Sequence, residues 1–505
     1  MIPGGAHGLR PVFCIPRRPV VKLCNLAAVI ASPFPACGHE VALPLTQALT
    51  TTTLSTAFQW FVRILGTSFR VRASLRSGNI RPMPYKIFRI LAVLLISLVL
   101  MGGEGGCPFE FEDLFPSDPD GDADLDHQAA SWVIAQQDLD SNELDREPDA
   151  DVLTEPGSPR VHEGIVYVTD QSNNRVAAWN GIPETDNVPA DFVLGQTAMT
   201  DGDAGFGAGG MTTPIDLEVA NRGLALADFG NSRVMLWDAP PESGPQDADG
   251  VLGAPSPDDG PVVACTPENF DGPWGIAFAG SRVLVSDFNH HRILVWDDWP
   301  ESDGQRADSV LGQENRDTCF ENRDTGLPGA DTLASPAGLW SDGERLAVAD
   351  RGNHRVLLWD EFPEDGEAAD RVLGQPDMEG NLINADGIER GFNAPVDVHY
   401  DGDRLFVADR ENHRVLIWDG WPDEDQQQAD SVLGQPDLES SVQNNTGDDS
   451  AVNARSLASP TGIWSDGERI LVADRDNDRV LIYEVPEEDD EDDDDNDEDG
   501  PGDPE

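Results

Sequence analysis

Lysine is almost missing from this chain: it occurs at Lys22 and Lys86 and nowhere after. From Cys107 onward, 22 arginines stand against 92 acidic residues, and the formal net charge of the 505 residues is −61. That balance excludes a nucleic-acid partner, because a phosphate backbone is held through clustered Lys and Arg. A surface this negative repels its own copies, and we read the chain as a monomer. Cysteine is scarce too, at six. None falls into a zinc spacing; Cys37 and His39 stand alone. There is no Gly-x-Ser-x-Gly, no His-Glu-x-x-His and no phosphate-binding glycine loop, which removes the common hydrolase, zincin and nucleotide-site signatures. The apolar run Ile90–Met101 has twelve residues, too few for a comfortable transmembrane span.

That run has the form of an export signal. Met83-Pro-Tyr-Lys-Ile-Phe-Arg89 is a short positive segment, and Gly102–Gly106 is a small-residue stretch leading to Cys107. The arrangement resembles a bacterial lipoprotein signal, which implies cleavage and lipidation at Cys107. Glu104 departs from it, standing where that family carries an apolar residue. The expected organisation is a non-conforming extension over 1–82, a signal over 83–106, an acidic linker over 107–127, one repeat domain over 128–484 and a tail over 485–505. The tail is nearly all Asp and Glu, so it repels itself and cannot bury a core. The expected location is outside the cytoplasm, in a bacterial envelope or free of the cell, with membrane contact only through a lipid on Cys107.

What the chain does have is a repeated string. Its central Asp recurs as Asp170, Asp228, Asp287, Asp350, Asp409 and Asp474. An Arg follows five residues later in every copy, from Arg175 to Arg479, and an aromatic residue four further on, from Trp179 to Tyr483. A Pro stands fourteen residues before each Asp, from Pro156 to Pro460. Around these markers lie four short runs rich in Val, Ile, Leu and aromatics, separated by turn residues. Such a unit is a four-stranded meander whose faces must bury against neighbouring copies. The last copy stops after its third strand. Val133-Ile-Ala-Gln-Gln-Asp-Leu139, before the first copy, parallels Val432-Leu-Gly-Gln-Pro-Asp-Leu438. The expected fold is therefore all-β: a six-bladed β-propeller of four-stranded antiparallel blades, closed by an N-terminal strand.

Val-Ala-Asp-Arg-Gly-Asn353-His354-Arg355 and Val-Ala-Asp-Arg-Glu-Asn412-His413-Arg414 resemble NHL repeats, which form six-bladed propellers. The resemblance implies a binding scaffold or, in some members, a metal-dependent lyase or lactone hydrolase. His354 and His413 recur at equivalent positions, so we read them as architecture.

A site is better sought where the repeat is broken. The second and fourth residues after each Pro should line the central channel. Copies two and five, which face each other across a six-fold ring, place Asp216, Glu218, Asp397 and His399 there. Hard oxygens with imidazole suit Ca²⁺ or Zn²⁺ in that channel. The alternative is a polar lining without a ligand. The second candidate is the face carrying the long, unequal loops between the fourth strand of one copy and the first of the next. Arg316, Phe320, Arg323, Arg390, Phe392 and Arg455 sit there and would present a binding face to a protein or glycan. Cys265 and Cys319 lie in neighbouring loops of that face, where a disulfide is feasible after export.

Overall fold

A computed structural model describes Leu125 and residues 127–144, 146–447 and 451–486. The 1–82 extension, the 83–106 signal, Cys107, nearly all of the 107–127 linker and the tail from 487 lie outside the described residues. The described chain forms six four-stranded antiparallel sheets. In the first blade, strand a is Pro156–His162, b is Ile165–Asp170, c is Arg175–Trp179 and d is Phe192–Leu194. The next four blades begin at Pro214, Pro273, Pro336 and Pro395 and repeat the pattern. Blade 6 takes strands a to c from Pro460–Ser465, Arg469–Asp474 and Arg479–Glu484. Its outer strand is Trp132–Ile134, antiparallel to strand c with Trp132 opposite Ile482 and Ile134 opposite Val480.

A blade is buried on both faces, so its strands read as nearly unbroken apolar runs. Successive residues serve different interfaces. In blade 4, Leu346 and Val348 pack on Ile293 and Leu284 of blade 3. Ala347 between them turns to Val398 and Leu405 of blade 5. The core is six such layers, one per interface. The last sets Leu471 and Ala473 of blade 6 against Val166 and Val168 of blade 1, completing the ring.

The repeated Asp and Arg are the framework of each blade. In blade 5, Asp409 Oδ1 accepts the Asn393 N–H at 2.7 Å. Its Oδ2 accepts the Asn412 amide at 2.7 Å and Arg414 Nε at 2.9 Å. Arg414 then donates to the Leu438 carbonyl beyond strand d and to Ile388 and Gly391 of the loop before strand a. The other blades repeat the Asp–Arg pair at 2.7–2.8 Å, with both side chains buried. In blade 3, His290 stands in for the Asn and meets Asp287 at 2.9 Å. These bonds place the b–c turns and the d–a loops on one face.

The residue between Asn and Arg takes the left-handed conformation at every b–c turn, with φ from 50 to 54° at Asn174, Ser232, His291, His354, His413 and Asp478. The Asn before it is not left-handed; its amide is committed to the Asp. The left-handed residue clasps the next blade. Nδ1 of His291, His354 and His413 accepts the N–H of Ser335, Ala394 and Ser459, at 3.0, 3.0 and 3.1 Å. Asn174 and Asp478 do the same through oxygen, toward Thr213 and Glu155. Cys265 and Cys319 are disulfide-bonded, with Cα atoms 6.0 Å apart, and tie the loop before blade 3 to the loop before blade 4.

Two outcomes follow from these contacts. Deleting residues 128–140 removes the outer ladder of blade 6 together with buried Val133 and Ile134, and should cost several kcal/mol. An unchanged melting temperature for the deletion would contradict this. Burial lowers the pKa of His291, His354 and His413. Each then binds fewer protons folded than unfolded, so stability is full above the unfolded value of about 6.5 and declines as pH falls through it. Replacing His354 and His413 by Asn keeps the acceptor, as Asn174 shows, and should flatten the decline in denaturation midpoint between about pH 7 and about pH 5. A variant profile parallel to the wild type would refute it.

Candidate functional site

Strand a begins at the loop-bearing face and runs down the axis. In every blade its pairing with strand b slips between the Pro and the third residue after it. Such a bulge breaks the two-residue alternation. The first and second residues after Pro therefore both reach the axial cavity: Ile215 with Asp216, and Val396 with Asp397. Val396 also keeps its place in the core between blades 5 and 6. At the second position three blades carry glycine. A Cβ on Gly338 would meet Asp397 Oδ1 at 2.5 Å, so the close approach of blades 4 and 5 requires glycine there.

The four residues expected to ligate a cation are not arranged as a ligand set. The side chain of Arg160, from blade 1, lies among them, only 3 % exposed. Its guanidinium is 3.3 Å from Asp216, 3.4 Å from Glu218 and 3.8 Å from Asp397. It also donates to the Pro159 and Ile463 carbonyls. His399 turns away and contacts the Ser465 carbonyl at 3.0 Å. Among the described residues, no group of three or more His, Cys, Asp or Glu side chains is placed to hold a metal ion. Asp216 and Asp397 each serve the neighbouring blade instead: Oδ2 accepts the N–H of Ile276 and of Ile463, at 2.9 and 2.8 Å. Burial pushes the pKa of Glu218 and of Asp397 up to about 7, against the pull of Arg160. Burial, helped by the charge of Arg160, lowers His399 to about 4, so it is neutral at physiological pH.

On the loop-bearing face the expected binding residues divide. Phe392 is fully buried and packs edge-on against Trp418. It fills the space beside Gly374, as Met211, Phe270, Leu333 and Leu457 do beside the glycines ending other d strands. It belongs to the core, three residues before each Pro, and is corrected as a docking residue. Arg323 is spent on Asp331 and Arg316 on the Ala307 carbonyl. Arg390 and Arg455 are exposed, each making one hydrogen bond to a backbone carbonyl. Phe320 is 57 % exposed.

Phe320 belongs to a pattern not anticipated above. The exposed large apolar side chains among the described residues all lie in this set of loops: Leu144, Phe206, Val262 and Val263, Phe320 and Leu327, Leu382 and Ile383, and Val442. In three successive loops the position is built identically. Gln313, Gln375 and Gln435, at the end of strand d, donate to the carbonyl of Phe320, Leu382 and Val442, seven residues on. The same amide accepts that residue's N–H and also donates to the left-handed residue of its own blade. Two residues later, Asn322, Asn384 and Asn444 pair amide to amide with Asn353, Asn412 and Asn477 of the next blade. Gln-x₆-apolar-x-Asn was readable in the sequence but hidden by the unequal loop lengths.

A second overlooked feature is the ring formed by the residue after each central Asp. Around the axis it reads Gln171, Phe229, Phe288, Arg351, Arg410 and Arg475. One arc is aromatic: Trp274 stacks on Phe288 with centroids 4.8 Å apart and meets Phe229 edge-on at 5.8 Å. The other arc is cationic. Arg410 is lowered in pKa first by burial and then by the charge of Arg475, with a contribution from Arg351. Gln171, Arg410 and Arg475 of this ring line an axial cavity of about 110 Å³, together with Ser158, Asp216, Trp274 and Asp397. On the other side of Arg160, a second cavity of about 120 Å³ is lined by Glu218, His399 and Trp464.

The fold and these repeats define a class. A family profile described as NHL repeat matches residues 270–296 and 392–418, the segments running from three residues before Pro to the end of strand c in blades 3 and 5. The chain is a six-bladed β-propeller in which blades 3 and 5 carry NHL-repeat matches. Among solved structures it is similar to one titled a "putative 6-phosphogluconolactonase" from Bacteroides uniformis, at 12 % identity over 65 % of this chain and 80 % of that one, with a TM-score of 0.36. No curated protein matches it.

The axis carries its own test. Replacing Arg160 by Met leaves two buried carboxylates, and the partly buried Glu218, without a counter-charge and should cost about 3–5 kcal/mol. The loss should be larger near pH 8 than near pH 5, since the carboxyls of Glu218 and Asp397 can take up protons in the acid range. Urea denaturation at both values reads this. An equal loss at the two would show that Arg160 acts by packing alone.

Proposed function

We propose that this protein is a binding scaffold, exported and envelope-tethered, whose loop-bearing face docks a partner protein. The observation that supports it most is the repeated presentation of Phe320, Leu382 and Val442. Each is an exposed apolar side chain whose own backbone is fixed by a buried Gln. Exposed apolar side chains held rigidly on a common frame lose little entropy on binding. Set among acidic loops, they suit a partner offering apolar pockets rimmed by Arg or Lys. The metal-dependent lyase or hydrolase reading has less support, because Arg160 takes up the channel carboxylates such a site would use.

Replacing Phe320, Leu382 and Val442 together by Ser removes the apolar surface and keeps the backbone bonds that hold it. Capture of the partner from envelope extract should be lost, with stability changed by no more than about 0.5 kcal/mol per site. Capture that survives this variant, but fails when the exposed Glu301, Glu364 and Asp423 in the connections between strands c and d are changed to Ser, would show that the docking surface lies on the other face.

A further inference from the structure

The axial cavity is a separate matter from the loops, and its polarity is arranged along its depth. Its floor is acidic. Asp216 and Asp397 are 4 % and 3 % exposed, and both line the cavity. In each, Oδ2 is bonded to the next blade; Oδ1 of Asp397 accepts no hydrogen bond from the described protein, and Oδ1 of Asp216 has only the Arg160 guanidinium, at 3.3 Å. Ser158 Oγ, beside them, is likewise without a partner. Arg160 supplies one positive charge to three carboxylates, so the floor keeps acceptor capacity and a negative field. Buried acceptors left unbonded are costly and uncommon in native structures.

Its mouth has the opposite character. In a chain of net charge −61, three successive blades place arginine at the ring position. Arg475 is held by Glu155 at 2.6 Å and by Asp476 at 2.8 Å. Arg410 has only Glu411, at 3.9 Å, and its buried Nε donates to nothing in the described protein. Arg351 lies over the Phe288 ring at 5.7 Å, and its Nε is also unbonded. Between mouth and floor the wall is apolar, formed by Ile215, Val396 and Trp274.

We propose that this cavity binds a small zwitterion of amino-acid size, its ammonium group directed to Asp216 and Asp397 and its carboxylate held by Arg410 and Arg475. The order of charges along the axis carries the inference. A simple anion satisfies the mouth but faces two carboxylates below it. A simple cation satisfies the floor but must pass the arginines. A molecule with both charges, joined by a few carbons lying against Trp274, meets the under-bonded groups of Arg410, Ser158, Asp216 and Asp397 that line the cavity. Ser158 adds a hydroxyl acceptor for the third ammonium proton.

The test is calorimetric titration of the full chain with glycine, β-alanine and 4-aminobutyrate, a series that varies the separation of the two charges. Acetate, methylammonium and inorganic phosphate serve as single-charge controls. At least one zwitterion should bind at about 1 mM or tighter and raise the melting temperature, and the controls should bind at least tenfold more weakly, roughly the cost of one missing charge contact. Arg410→Gln should weaken binding by about tenfold or more without lowering stability, because Arg410 holds no backbone group. Asp397→Asn should do the same, read together with its melting curve because Asp397 also anchors Ile463. Three results overturn the proposal: no zwitterion bound at about 10 mM, a control bound as tightly as the best zwitterion, or affinity unchanged in Arg410→Gln. The Phe320, Leu382 and Val442 triple variant should bind the zwitterion normally, so this proposal and the docking face stand or fall separately.

Discussion

Everything in this propeller hangs on an ion pair buried once per blade. The Asp carboxylate and Arg guanidinium sit with no exposure to water, a placement that is stable only if nearly every lone pair and N–H has a partner. Here the partners are backbone groups of the loop that enters the blade and of the strand end that leaves it. The pair thus converts an electrostatic requirement into geometry, pinning both ends of each d–a loop to the frame. Between those points the loop is free to differ in length and sequence. That explains how the chain keeps a constant interval from Pro to Asp in all six copies while the loops range widely.

Much of this was legible in the sequence because it is periodic. The Asp, Arg, Trp and Pro positions recur in step, and periodicity of that kind reports strands and their order. What escaped reading were features that depend on one local event repeated silently. The bulge in strand a leaves no signature residue, yet it turns Ile215 and Val396 toward the axis. Phe392 looked like an aromatic residue in a surface loop. It is the last core residue before the strand, recognisable only once Met211, Phe270, Leu333 and Leu457 are aligned at the same offset from Pro. Arg160 was a lone basic residue among channel positions, and nothing in linear order said that its reach would bring it between carboxylates of two other blades.

The axis and the loop-bearing face follow one logic at two scales. Where all six copies agree, the residue is framework, as with the Asp–Arg pairs and the left-handed clasps. Where the copies disagree at a fixed position, chemistry becomes asymmetric within a symmetric frame. The ring after the central Asp is half aromatic and half cationic, and the second position after Pro holds carboxylates in only two blades. Nine of the 22 arginines after Cys107 are thereby placed in the framework pairs or in the ring at the axial mouth.

The pairing of Trp132–Ile134 with the strand ending at Glu484 has a consequence for how the molecule comes into being. Among the described residues, the first strand to be made is the last to find its partner, some 350 residues later. Five blades can form sequentially as they emerge, each closing on its predecessor, but the sixth cannot be finished until its strand c, Arg479–Glu484, has been made. Until then the ring has two raw sheet edges, the setting in which strands pair with the wrong chain. A self-repelling acidic surface keeps such half-made copies apart during that interval. The final step is the slowest kind of contact, one of very long sequence separation, and it joins beginning and end into a single cooperative unit.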